Sequence, residues 1–63
     1  MTREEAQNLH NGDHVITTGG ILGVIRDVLI LNYAVIVKIQ SIGHRYYGAL
    51  FTYPHTDITY VKH

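Results

Sequence analysis

From residue 14 onward, runs of β-branched and apolar residues alternate with glycine- or asparagine-bearing turns too short to hold a helix. No other feature limits the fold as much. Residues 14–18 run into Gly19-Gly20, residues 21–31 into Asn32, and residues 33–40 into Ser41-Ile42-Gly43. Strands joined by so few residues pair antiparallel, because a parallel crossover needs a dozen or more residues. Five short antiparallel strands on so small a chain must curl to cover both ends of their apolar face. The expected fold class is therefore all-β, a small five-stranded barrel with a short N-terminal helix.

Within this frame, residues 33–40 alternate. Val35, Val37 and Ile39 are expected on the core face, since Ala34, Ile36, Lys38 and Gln40 carry the polar groups of the opposite face. Gly23 predicts a bulge or a tight bend in the second strand. Residues 44–53 read as one long strand with Gly48 where the sheet coils. Tyr46 and Tyr47 would then point to opposite faces, and Leu50, if inward, would be a core position. Pro54 stops the ladder, residues 55–56 read as one helical turn, and residues 57–61 as a closing strand. A buried helix over residues 21–31 is the competing assignment; its β-branched content and flanking glycines argue against it.

Ahead of the strands, Thr2-Arg3-Glu4-Glu5 reads as a capping box. Glu4 and Glu5 also lie where the helix dipole favours negative charge. The helix expected over residues 2–10 is too short to stand alone, so it must lay Leu9 onto the strands, and Asn11-Gly12 ends it. The domain reading is one unit over residues 1–63, with the helix at 2–10 and the barrel at 14–61.

A chain of 63 residues buries only about 60% of the surface its unfolded form exposes. Many domains of this size need a staple. With no cysteine, disulfides and thiolate metal sites are excluded. The chain is 46% hydrophobic and 16% charged, so it has much to bury and few charges to cover its surface. That balance points to apolar surface hidden against another chain, its own copy or a different partner, with a compact monomer as the alternative. Five Lys and Arg offset five Asp and Glu, which lacks the basic excess of most nucleic-acid binders. No run of residues reaches the ~18 apolar positions of a membrane span. The acidic, helix-forming start is unlike a signal peptide, and the expected location is the cytoplasm.

The stretch Leu9-His10-Asn11-Gly12-Asp13-His14-Val15-Ile16-Thr17-Thr18-Gly19-Gly20-Ile21-Leu22-Gly23-Val24-Ile25 resembles the opening of small SH3-like barrels of the KOW type. Its local likeness is to the soluble domain of the YajC family, accessory subunits of the bacterial Sec translocon. Those domains also begin with Gly-Asp, an apolar strand, Thr, a Gly-Gly turn, an apolar pair and a further Gly. The resemblance covers residues 9–25 and implies an SH3-like barrel. It assigns no functional residue, because such barrels serve many roles. YajC carries a transmembrane helix before this domain, and no such segment is present here. Residues 51–58 are similar to the close of an SH3-like barrel, where a helical turn precedes the last strand. The Met-Thr-Arg-Glu-Glu-Ala start resembles small stand-alone barrels of phage and mobile elements.

The residues that could carry chemistry are few. His10, His14, His44 and His55 are scattered, without the spacing of a closed zinc site. Ser41 is the one serine and has no base near it in sequence. Asp13 and Asp27 read as turn caps, and Gly19-Gly20 lacks the Lys and helix of a phosphate loop. The reading is non-enzymatic, with no cofactor and no metal. The five tyrosines Tyr33, Tyr46, Tyr47, Tyr53 and Tyr60 carry the more specific signal, because tyrosine buries large area while keeping a polar handle. Tyr33, Ile36, Arg45, Tyr46 and Tyr47 are the expected binding surface of a self-associating protein-interaction or accessory module. The competing readings are a nucleic-acid-binding barrel using Arg26, Lys38 and Arg45 with the tyrosines, and a small-ligand or regulatory subunit docked on a larger enzyme. Completion of a small core by tyrosine rings is the plainer account of the same residues.

Overall fold

A computed structural model describes residues 1–62, with the backbone alone at Tyr60. His63 and the Tyr60 side chain, one of the candidate tyrosines, lie outside the described residues. The chain folds as a single antiparallel sheet that curls into a half-barrel, with little helix. Its strands are β1 (His14–Thr17), β2 (Leu22–Ile30), β3 (Val35–Ser41), β4 (Leu50–Pro54) and β5 (Ile58–Lys62), in the order β4-β3-β2-β1-β5. The last strand therefore lies beside the first. Among the described residues no helix is long and apolar enough to cross a membrane.

The N-terminal helix α1 spans only Arg3–Ala6, shorter than residues 2–10. Its capping box forms: the Glu5 amide donates to Thr2 Oγ1 (3.2 Å), and the Thr2 amide donates to Glu5 Oε1 (3.0 Å). The Thr2 amide donating to the Glu5 carboxylate, and after it the Thr2 hydroxyl, hold the Glu5 carboxyl below its usual value. Ala6 and Leu9 are buried in the core. Beyond the helix, Asp13 Oδ2 accepts from the His10 amide (2.9 Å), the turn-capping role expected of it.

The alternation of β3 is as read from sequence. Val35, Val37 and Ile39 are fully buried, with Val15, Ile25 and Ile58 around them; Lys38 faces out. Ala34 departs from its expected outward place and is buried, because the chain is already turning there: the Leu31 amide donates to the Ala34 carbonyl. Tyr33 belongs to that turn rather than to the strand.

Gly23 is no bulge. It pairs with Ser41 across β2 and β3, and a Cβ there would sit 3.0 Å from the Gln40 carbonyl oxygen and 3.1 Å from Ile39 Cδ1. Gly23 instead lets β2 and β3 lie close together. The bulge lies three residues on, at Arg26, where the register jumps from Ile25↔Ile39 to Asp27↔Lys38. There Asp27 Oδ1 accepts from the Val28 amide (2.9 Å), so Asp27 serves the bulge and not a turn.

The largest correction concerns residues 44–53. They form a loop and then a short strand, not one long strand. Gly48 adopts φ +84°, which only glycine reaches cheaply, and its amide donates to the Ser41 carbonyl while the Ala49 amide donates to that of Tyr46. Those bonds close a turn where a coiled strand was expected. Leu50 consequently opens β4 on the outer face and is more than half exposed, while Phe51 and Tyr53 pack on the core. Pro54 ends β4, an edge strand, where a missing N–H is tolerated. The 3-10 turn His55–Asp57 follows, as expected, and there His55 Nδ1 accepts from the Val35 amide (3.2 Å).

Val37→Asp is expected to abolish the cooperative unfolding transition, because it buries an unpaired charge. Leu50→Ala is expected to stay within about 0.5 kcal/mol of the parent in urea denaturation. Gly23→Ala should cost about 1–3 kcal/mol in the same assay, since the added methyl meets backbone at 3.0 Å; an unchanged midpoint would contradict the close packing of β2 on β3.

Candidate functional site

Antiparallel partners share a face, so the β2–β3 register decides what each face of the sheet shows. Leu29 is opposite Ile36, Asp27 opposite Lys38, and Lys38 opposite Thr52. All five point away from the core and surround a shallow outer hollow of about 170 Å³. Leu29 is 55% exposed there. The hollow has an apolar pair on one side and a charged pair of opposite sign on the other.

The expected binding residues do not form one patch. Tyr33 occupies the β2–β3 turn and is 81% exposed. Ile36 is half-buried in the second position of β3. Arg45, Tyr46 and Tyr47 lie past the other end of β3, in the connection over residues 42–49. Ile36 and Ser41 are five residues apart, about 17 Å along the strand. The structure thus brings Ile36 together with Leu29, and separately brings Arg45 together with Tyr46. Tyr46 and Tyr47 are in a turn and both are exposed, 48% and 77%, so their expected division between two faces does not occur.

The second grouping has more built geometry. The Tyr46 ring meets Phe51 edge-on, with centroids 5.8 Å apart and planes at 82°, and the Arg45 guanidinium carbon is 6.0 Å from the Tyr46 centroid. Phe51 in turn lies 6.1 Å from Tyr53, which ties the loop to the core. Opposite this aromatic corner stands the β1–β2 turn. Gly19, Gly20, Ile21 and Leu22 face Ser41, Gly43, His44, Arg45 and Tyr46 across an open groove of about 280 Å³. The Ile42 amide donates to the Leu22 carbonyl (3.0 Å) and fixes the spacing of the two walls.

The cations of the nucleic-acid reading are dispersed. Arg26 Nε donates to Gln40 Oε1 (3.0 Å) on the outer face, Lys38 lies opposite Asp27, and Arg45 is on the groove. His10, His14, His44 and His55 fall in separate parts of the chain, and no three His, Asp or Glu of the described residues converge as a metal site would need. Sequence reasoning missed Leu29 and the glycine wall. Leu29 was hidden by the bulge that turns it outward, and Gly19-Gly20 carried only a turn signal.

Tyr46→Ala is expected to cost about 1 kcal/mol by urea denaturation, from loss of the edge contact to Phe51, and Tyr47→Ala less than about 0.5 kcal/mol. Equal costs would mean that Tyr46 has no special anchorage. Compared with known proteins, the chain matches no family model, no curated protein and no solved structure.

Proposed function

We propose that this chain is a non-enzymatic protein-interaction module built as an SH3-like barrel, and that it self-associates through the outer face of β2, β3 and β4. The SH3-like reading is supported by the strand order, with β5 beside β1, and by the 3-10 turn before the last strand. Residues 9–25, which carry the sequence resemblance, form the approach to β1, that strand, its turn and the first part of β2. A cytoplasmic location belongs to the same proposal.

The observation that carries self-association is the outer hollow. Leu29 and Ile36 present apolar surface beside Asp27 and Lys38. In a two-fold contact each patch meets its own copy, so a surface must complement itself. An apolar pair flanked by one acid and one base meets that condition: the apolar side chains bury one another while Asp27 of each copy faces Lys38 of the other. Tyr33, in the β2–β3 turn, borders the same end of the sheet and adds exposed aromatic surface there.

Sedimentation velocity tests this directly. The parent chain is expected to sediment as a dimer or larger species at high concentration, and Leu29→Lys with Ile36→Lys as a folded monomer. A parent that stays monomeric at every concentration removes the proposal.

A further inference from the structure

Ser41 occupies an unusual place. It is 2% exposed, lies on the inward face of β3 opposite Gly23, and lines the groove between the β1–β2 turn and the 42–49 connection. Its amide and carbonyl are both used, by Ala49 and Gly48, which leaves its side chain as the part of the residue that can meet a ligand in the groove.

The rest of the lining has one electrostatic sign. Arg45 and His44 stand on the wall, and no Asp or Glu lines the groove. Arg45 is the residue type best suited to hold a carboxylate, through paired N–H donors. Tyr46, held edge-on by Phe51, offers a rigid aromatic surface, and Ile21 and Leu22 make the opposing wall apolar. At Gly20 and Gly43 an added Cβ would meet nothing within 4 Å, so a ligand can approach the backbone on both sides.

We propose that this groove binds an acidic peptide segment, with a carboxylate seated between Arg45 and the Ser41 hydroxyl and a neighbouring apolar side chain packed against Tyr46, Ile21 and Leu22. The proposal rests on the reading of the chain as a protein-interaction module, and it names a partner class for a surface separate from the self-association face. Apolar walls suit peptide side chains. A nucleic-acid strand needs a track of cations along successive phosphates, whereas Arg45 is the one Lys or Arg among the residues lining this groove. The volume, about 280 Å³, is near the lower end of small-molecule pockets and accommodates one or two side chains of an extended segment.

The test is a titration of the isotope-labelled chain, followed by amide NMR, with three probes: a short Glu/Leu peptide, its Lys/Leu counterpart and single-stranded oligothymidylate. The Glu/Leu peptide is expected to saturate, to shift the amides of Gly19, Gly20, Gly43 and Ser41, and to bind about tenfold or more weakly to Arg45→Glu. Ser41→Ala should weaken it severalfold with the amide spectrum otherwise retained, and the Lys/Leu peptide should leave the groove unshifted. No saturable binding of the Glu/Leu peptide, or equal affinity in Arg45→Glu, overturns the proposal. Sedimentation of the same samples separates the two readings. A protein that self-associates but takes no acidic peptide loses only the groove assignment. A monomer that takes oligothymidylate at these amides loses both.

Discussion

The extra residue at Arg26 sets which side chains of the second half of β2 face the core and which face out. Strand side chains alternate with a period of two, so a one-residue slip sends each to the opposite face. Without the bulge, Gly23, Ile25, Asp27 and Leu29 would share the inner face, and a carboxylate would enter the core. With it, Ile25 and Val28 point inward, while Asp27 and Leu29 point out. The Asp27 carboxylate accepting from the Val28 amide stabilises the irregularity where it occurs. The packing of Val28 against the core and the outward placement of Asp27 and Leu29 beside Lys38 and Ile36 are two consequences of one inserted residue.

The two ends of β3 then acquire different characters. At its start, the turn through Asn32 and Tyr33 leaves apolar groups at the rim, with the Val35 amide tied to His55. At its finish, Ser41 is drawn inward opposite Gly23, because a residue without a side chain lets β3 lie close at that point. The chain must then leave the sheet sharply, which Gly48 at φ +84° permits. The connection that results carries Arg45 and Tyr46 against the glycine turn between β1 and β2. The groove proposed to take a peptide and the sheet face proposed to self-associate are therefore separated on one small domain, with β3 running between them.

Much of this was legible in the residues. The β3 stripe follows from strict alternation, the capping box from Thr2 and Glu5, the closing 3-10 turn from the residues after Pro54, and the burial of Leu9 from the inability of so short a helix to stand alone. The misreadings share a cause. Residues 44–53 have strand-like composition, yet hydrogen bonds from Gly48 to Ser41 and from Ala49 to Tyr46 outweigh it, since β propensity mostly expresses how a side chain packs on its neighbours. Leu50, Tyr46 and Tyr47 were misplaced together for that one reason. Arg45 and Tyr46 were named from their types, while their association with Gly19 and Gly20 could not be, because those residues are more than twenty positions away in sequence.

Sequence by itself determined the class of structure: that the chain is mostly strand, that the strands pair antiparallel, which side of β3 is buried, and that neither disulfide nor thiolate ligation holds the chain. These follow from local sterics and from periodicity, which need no knowledge of the partner strand. Tertiary structure decided the bulge at Arg26, the outward turn of Leu29, the burial of Ser41, and the meeting of two distant loops around one groove. Each of those depends on which residue stands opposite which across the sheet, and that register is set by the packing of all the strands at once rather than by any one segment.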